Sequence, residues 1–252
     1  MSDFNRNVTA RGGFADRTAA VDAGLRTYML RVYNYMGAAV ALTGVVAWLC
    51  FQNAVVTNEA GAITGLTSFG QMILGGYTPI ILMLATLGLV FFISFRIHTL
   101  QYTTALALFM VYAALLGAAL TSIFVAYTGA SVARVFFISA ASFGALSLYG
   151  YTTQRDLSAM GSFLIMGLVG ILLAGIVNIF LQSGALGFVI SAVGVLVFAG
   201  LTAWDTQRIK EMYDVQDDGS VAGRKAVMGA LTLYLDFINL FLFLLRFLGD
   251  RR

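Results

Sequence analysis

Long apolar stretches, separated by short polar segments, make up most of the chain from residue 30 onward. Seven of them are long enough to cross a hydrocarbon core of about 30 Å, which takes about 20 apolar residues as helix. A membrane β-barrel would instead need many short strands with alternating apolar and polar residues. We therefore predict an all-α membrane protein whose seven spans cover residues 30–51, 78–95, 103–125, 133–151, 163–180, 186–204 and 227–248.

The composition supports a membrane protein. Hydrophobic residues make up 60% of the 252 residues and charged residues only 11%. A soluble domain carries about 25% charged residues, so this chain could not cover a water-facing surface with polar side chains. The formal net charge of +3 is too small to suggest a nucleic-acid partner. The predicted organisation is a cytoplasmic arm at residues 1–29, one transmembrane domain at residues 30–249 and a short basic tail at residues 250–252.

Rare residue types exclude several kinds of functional site. Cys50 is the only cysteine and His98 the only histidine, so the chain can form neither an internal disulfide nor a Cys/His zinc site. The two lysines, Lys210 and Lys225, both lie in the polar segment before the seventh span, so no lysine within the membrane could hold retinal. We expect no cofactor and no catalytic residues.

The basic residues predict how the bundle is oriented in the membrane. Eleven of them fall on one side, in the N-terminal arm and after the second, fourth and sixth spans, and four fall on the other side. This asymmetry predicts a cytoplasmic N-terminus and, after seven crossings, a C-terminus outside. The basic tail, with Arg251 and Arg252, argues mildly against that orientation.

One acidic residue, Asp236, lies inside the seventh span. A carboxylate at the bilayer centre costs about 3 kcal/mol, so such residues usually face the protein interior and have a function. At about 100° per residue, Thr232, Asn239 and Arg246 fall on the same quarter of the helix as Asp236. These residues predict a polar stripe that lines a pore or a polar core.

A second acidic residue, Asp205, is predicted at the cytoplasmic end of the sixth span. It could be an interfacial acid paired with Arg208, or it could approach Asp236, because the sixth and seventh spans are antiparallel and are joined on that side. Two carboxylates in contact tend to share one proton, which suits a proton sensor, and their oxygens suit calcium. Arg96, at the end of the second span, could reach the pair as a counter-charge or extend to the membrane surface.

Three strings of residues resemble the transmembrane Bax-inhibitor-motif family, above all its bacterial members. They are Ala-Trp-Asp-Thr-Gln-Arg-Ile-Lys at residues 203–210, Leu-Tyr-Leu-Asp-Phe-Ile-Asn at residues 233–239 and Tyr-Gly-Tyr-Thr-Thr-Gln-Arg-Asp-Leu at residues 149–157. The likeness extends over all seven spans. One departure is Trp204, beside Asp205, where the family commonly has Tyr.

The resemblance implies six helices around a central seventh, and a calcium leak that pH gates through an aspartate pair at Asp205 and Asp236. It also implies that Arg96 is the counterpart of the family's arginine latch. The partners would then be the lipid bilayer, calcium ions and protons, and the location would be the bacterial cytoplasmic (inner) membrane. Whether the acidic loop with Asp214, Asp217 and Asp218 tunes ion entry or is merely solvated is left open.

Two other functions are alternatives to the leak. An intramembrane aspartyl protease also needs two membrane aspartates, but its Gly-x-Gly-Asp signature is absent at both positions. A non-conducting regulator, which binds other membrane proteins in proteolysis or stress survival, is the stronger alternative. The sequence does not separate this regulator from a leak.

Overall fold

The computed structural model describes the backbone of residues 3–58 and 62–252, and the side chains from Val21 onward within those ranges. The side chains of Arg6, Arg11 and Arg17 in the predicted arm, and all of Glu59, lie outside the described residues. The described chain forms α1 (Asp3–Ala54), β1 (Val55–Thr57), β2 (Ile63–Leu66), α2 (Ser68–Leu74), α3 (Thr78–Arg96), α4 (Tyr102–Ala119), α5 (Thr121–Ala126), α6 (Gly129–Thr152), α7 (Ser158–Leu181), α8 (Gly184–Glu211) and α9 (Gly219–Leu248).

Within the described residues, seven helical segments are long and apolar enough to cross a membrane, which confirms the predicted all-α membrane fold. The third span consists of two helices, α4 and α5, which meet at Leu120. The first helix continues without a break past residue 30, where the arm and the transmembrane domain were predicted to meet. The segment after the first span holds a short antiparallel hairpin, in which Val55 pairs with Leu66, and then the short helix α2.

The sixth span ends later than the sequence predicted, and this corrects the position of Asp205. The helix α8 continues to Glu211, so Asp205 lies inside it, about 9 Å before its end at 1.5 Å per residue. The added turns are polar but stable, because Gln207 is buried and hydrogen-bonded and Arg208 and Lys210 complement the negative end of the helix dipole.

The last helix, α9, is the centre of the bundle, as predicted. Of its most apolar stretch, 67% is buried, against 11% to 33% in the other six spans. It packs against α1, α4, α6 and α8, while α3 packs mainly on α4 and α7 mainly on α8. Burial on all sides explains how α9 can carry both a carboxyl group and the fully buried Tyr234 within the membrane.

A hydroxyl pair ties α1 to α9 deep in the bundle. The Thr43 Oγ1 atom lies 2.9 Å from the carbonyl oxygens of both Ala39 and Ala113, and 2.7 Å from the Tyr234 hydroxyl. Since the single Thr43 proton points to a carbonyl, the Tyr234 hydroxyl donates to Thr43. This contact therefore joins α1, α4 and α9. Its α9 member, Tyr234, lies two residues before Asp236.

The C-terminal tail is docked at the opposite end of α9 from the loop between α8 and α9. Asp250 forms an ion pair with Arg134 at 2.7 Å, and Arg251 forms a β-bridge with Tyr127. The Arg252 Nε atom donates to the Tyr127 carbonyl at 3.2 Å. The basic tail is thus held by specific contacts with the segment between α5 and α6.

Candidate functional site

The side chains of Asp205 on α8 and Asp236 on α9 meet inside the bundle. Only 7% of Asp205 and 5% of Asp236 is exposed, and the two carboxyl groups lie close enough to interact with each other. The antiparallel packing of α8 against α9 brings them together across 31 positions of sequence. In the described part of the chain, the buried Asp236 Oδ2 atom has no hydrogen-bond partner.

Arg208, about one turn after Asp205 on α8, places a positive charge that acts on this carboxyl group. Its guanidinium also lies 5.5 Å from the centre of the Trp204 ring. Arg96, the predicted latch, ends α3 with an exposed side chain and forms no ion pair among the described residues. The latch role of Arg96 stays a prediction.

The residues of the predicted polar stripe do not form one buried row. Thr232 and Asn239 are half-buried, and each donates to a carbonyl of its own helix, that of Met228 at 3.1 Å and that of Leu235 at 2.8 Å. Arg246 is exposed near the end of α9. Asp236 is the only one of the four stripe residues that is buried, so it is the one that requires a polar partner within the protein.

The acidic loop before α9 has structural contacts at each of its three aspartates. Asp217 forms an ion pair with Lys225 at 2.6 Å, and Asp218 caps α9 by accepting the backbone N–H groups of Ser220 and Val221. The Asp214 Oδ1 atom accepts the backbone N–H of Gln216. These contacts shape the loop and the start of α9, independently of any effect on ions.

A chain of hydroxyl groups, which the sequence analysis missed, leads from α1 to the residue beside Asp205. The Tyr33 hydroxyl lies 2.6 Å from Ser147 Oγ, which lies 2.9 Å from Thr206 Oγ1, and Thr206 donates to the Thr202 carbonyl at 2.7 Å. Because each hydroxyl has one proton, the donors run in order from Tyr33 through Ser147 to Thr206. Local patterns of hydrophobicity give no signal for such a chain, because its members lie on three different helices.

The segment before α7 is fastened to α8 by Gln207, which was also missed. Its Nε2 donates to the Arg155 carbonyl at 2.8 Å, and its Oε1 accepts the backbone N–H of Leu157 at 2.9 Å. The neighbouring Asp156 is exposed, and hydrogen bonds from the side chain and backbone of Ser158 lower its pKa. The sequence signal for this contact was the glutamine within the family-like string at residues 203–210.

Two glycines, Gly150 on α6 and Gly161 on α7, allow these helices to pack closely on α8 just before Asp205. A Cβ atom on Gly150 would collide with the backbone carbonyl of Ala203, and one on Gly161 would collide with the Trp204 ring. Ala203 and Trp204 directly precede Asp205. The two glycines therefore set the position of the α8 turn that carries this carboxyl group.

The match with known sequences covers the whole of this site. A sequence profile of the family described as inhibitor of apoptosis-promoting Bax1 matches residues 25–252. The chain belongs to this Bax-inhibitor family. Both aspartates, the hydroxyl chain and Gln207 fall within the matched range.

Bacterial proteins are similar to this Bax-inhibitor family member over nearly their full length. Protein RP147 of Rickettsia prowazekii is 47% identical over 257 residues, which cover 100% of both chains. The inner membrane protein YbhL of Escherichia coli strain K12 is 47% identical over 232 residues, 91% of this chain and 94% of YbhL. The membrane protein SpyM3_0260 of Streptococcus pyogenes serotype M3 is 36% identical over 90% of this chain and 94% of that protein. The chain is an integral membrane protein of the same family.

Proposed function

We propose that this protein is a pH-sensitive calcium leak in which Asp205 and Asp236 form one proton-linked gate. The observation that supports the proposal most directly is the buried contact between the two carboxyl groups on adjacent, antiparallel helices. Carboxyl groups inside a membrane are costly, so a pair that is retained there is expected to serve transport or proton sensing.

The gate works through the charge of the pair. Two ionised carboxylates in contact repel each other, whereas one shared proton allows a hydrogen bond between them. In the described conformation both side chains are sealed from solvent, so an ion can reach them only if α8 and α9 separate locally. Loss of the shared proton favours that separation, because repulsion replaces the hydrogen bond.

Calcium is the ion that suits these groups, as cargo rather than as a resident cofactor. It prefers oxygen ligands and carboxylates, and it usually takes six to eight ligands at about 2.3–2.6 Å. Among the described residues there is no cluster of three or more acidic, histidine or cysteine side chains. Two carboxylates, with water molecules as the remaining ligands, suit an ion in transit. Such an ion must bind weakly enough to leave the site again.

The proposed location is the bacterial inner membrane, with the aspartate pair nearer to the cytoplasmic side. The relative YbhL is an inner membrane protein. The asymmetry of eleven basic residues against four supports a cytoplasmic N-terminus. Proton concentration in the cytoplasm would then control the gate.

The test is calcium flux into liposomes that contain the purified full chain and a trapped calcium dye, measured as a function of pH. Wild-type protein should give a flux that varies with pH. Asp205→Asn and Asp236→Asn should each flatten this dependence, because a neutral amide removes the mutual repulsion. The double variant should resemble either single variant, since coupled groups are not additive. Asp214→Asn, which makes the same change in the exposed loop, should retain the wild-type profile.

Two results would contradict the proposal. Variants that fold and keep the wild-type pH profile would exclude the aspartates as the gate. A wild-type protein that gives no flux at any pH would favour the non-conducting regulator, because a leak needs no protein partner in the liposome and a regulator does.

A further inference from the structure

An apolar groove with a volume of about 680 Å³ lies between α1 and α6. Its walls include Val45 and Trp48 of α1 and Phe136 of α6, and its floor is formed by Phe237 and Phe241 of α9. This volume lies within the about 300–1,000 Å³ that is typical of small-molecule sites. Neither aspartate lines it, so the groove is separate from the proposed gate.

The groove faces the hydrocarbon of the bilayer. The helices α1 and α6 both pack on α9, but within the described residues they make few contacts with each other. Val45 and Trp48 are each about half exposed along the opening. In a membrane such a lateral opening is filled by lipid chains, because water is excluded from this depth.

One cationic side chain, Arg252, lies at the end of this groove. Its guanidinium sits 5.6 Å from the centre of the Phe51 ring, and its Nε donates to the Tyr127 carbonyl. No described residue accepts a hydrogen bond from its Nη atoms, and the nearby Arg134 is neutralised by Asp250. A guanidinium can hold a phosphate through several N–H groups at once.

We infer that this groove binds an anionic phospholipid, with one acyl chain along the apolar walls and the headgroup phosphate on Arg252. The apolar walls of the groove match the acyl chain, and the positive charge of Arg252 matches the negative headgroup. The apolar lining excludes a hydrophilic solute from most of the groove, and the cation at its membrane-surface end selects a negative headgroup. The site does not depend on calcium conduction.

Trp48 provides a direct probe, because it lines the groove and the only other tryptophan is Trp204. The experiment uses the full chain with Trp204→Phe, reconstituted in phosphatidylcholine. A small fraction of brominated lipid, either phosphatidylglycerol or phosphatidylcholine, is added to quench the fluorescence of Trp48. In both lipids the bromine atoms are on the acyl chains. Bulk lipid quenches Trp48 equally in both cases, so a site selective for the anionic lipid appears as stronger quenching by phosphatidylglycerol.

We expect a preference of roughly fivefold for brominated phosphatidylglycerol, as one basic side chain near a membrane surface provides. Arg252→Ala should abolish the preference, whereas Arg251→Ala, which removes the same charge one residue earlier but outside the groove, should keep it. Gly44→Leu should also abolish it by filling the groove. Gly37→Leu is the matched control on α1, since both glycines have open space for a side chain and Gly37 lies outside the groove.

Equal quenching by the two lipids in the Trp204→Phe protein would overturn the inference. A preference that survives Arg252→Ala, or that disappears equally with Arg251→Ala, would do the same, because it would show only a general attraction of the basic tail for anionic lipid.

Discussion

The aspartates of this protein differ in how their negative charge is compensated. Asp217 and Asp250 are paired with Lys225 and Arg134 near the ends of the spans. Asp205 and Asp236 instead face each other, and no basic side chain in the described ranges lies within ion-pair distance of either. A buried carboxyl pair without a cation can lower its energy by holding a proton, which is the physical basis of the proposed gate.

The two candidate counter-charges can be separated by substitution. Arg208→Ala should move the midpoint of the calcium flux against pH to higher pH, by up to about one unit, because an ionised Asp205 loses a nearby positive charge. The shift is limited because Arg208 is exposed to solvent. Arg96→Ala should leave the midpoint unchanged if Arg96 only extends to the membrane surface.

The same liposome assay measures both variants at equal protein content. A midpoint that moves with Arg96→Ala and not with Arg208→Ala would show that α3 approaches the pair in the conducting state. That outcome would support Arg96 as the latch.

At the scale of helices, the position of Asp205 depends on how closely α6 and α8 approach each other. Gly150 permits this approach, and Gln207 and Lys210 fasten the end of α6 and the following segment to α8. Small residues at helix interfaces are the usual means of close packing within membranes, where the hydrophobic effect does not drive helices together.

Gly150→Ala should therefore destabilise the bundle by about 1–3 kcal/mol, the usual cost of an added methyl group in a filled interface. It should also alter the pH profile of the calcium flux, because α8 must shift next to Asp205. Gly144→Ala is the control on the same helix, since its added methyl group would meet open space. Unfolding of the purified variants in detergent measures the first effect, and equal stability of the two would show that the α6–α8 contact yields without cost.

For the whole molecule, the orientation in the membrane decides which compartment the gate senses. In a Cys50→Ser background, Thr64→Cys in the hairpin should react with a membrane-impermeant maleimide added outside the cell membrane. Gln216→Cys in the loop before α9 should react only after the membrane is permeabilised. Both positions are exposed, so accessibility depends on the side of the membrane rather than on burial. The reverse labelling pattern would place the N-terminus outside.

The docked tail gives structural contacts to the basic residues that argued against this orientation. Asp250 neutralises Arg134, and Arg251 and Arg252 are held against the rings of Tyr127 and Phe51.

The sequence by itself determined the seven spans and the presence of acidic residues at Asp205 and Asp236, and its family resemblance implied the central last helix. Spans can be read locally, because about 20 apolar residues must follow one another to cross the bilayer. The family could be recognised for a related reason, since the strings around the two aspartates are continuous in sequence.

Only the tertiary structure decided which side chains meet. Contact between Asp205 and Asp236, the nearness of Arg208 rather than Arg96, and the hydroxyl chain through Ser147 all depend on the rotation and offset of helices. The end of α8 was misjudged for the same reason, because the buried Gln207 is stabilised by backbone groups about 50 positions earlier in the chain. Hydrophobic periodicity records which residues face lipid or protein, but it does not record which polar partner lies across an interface.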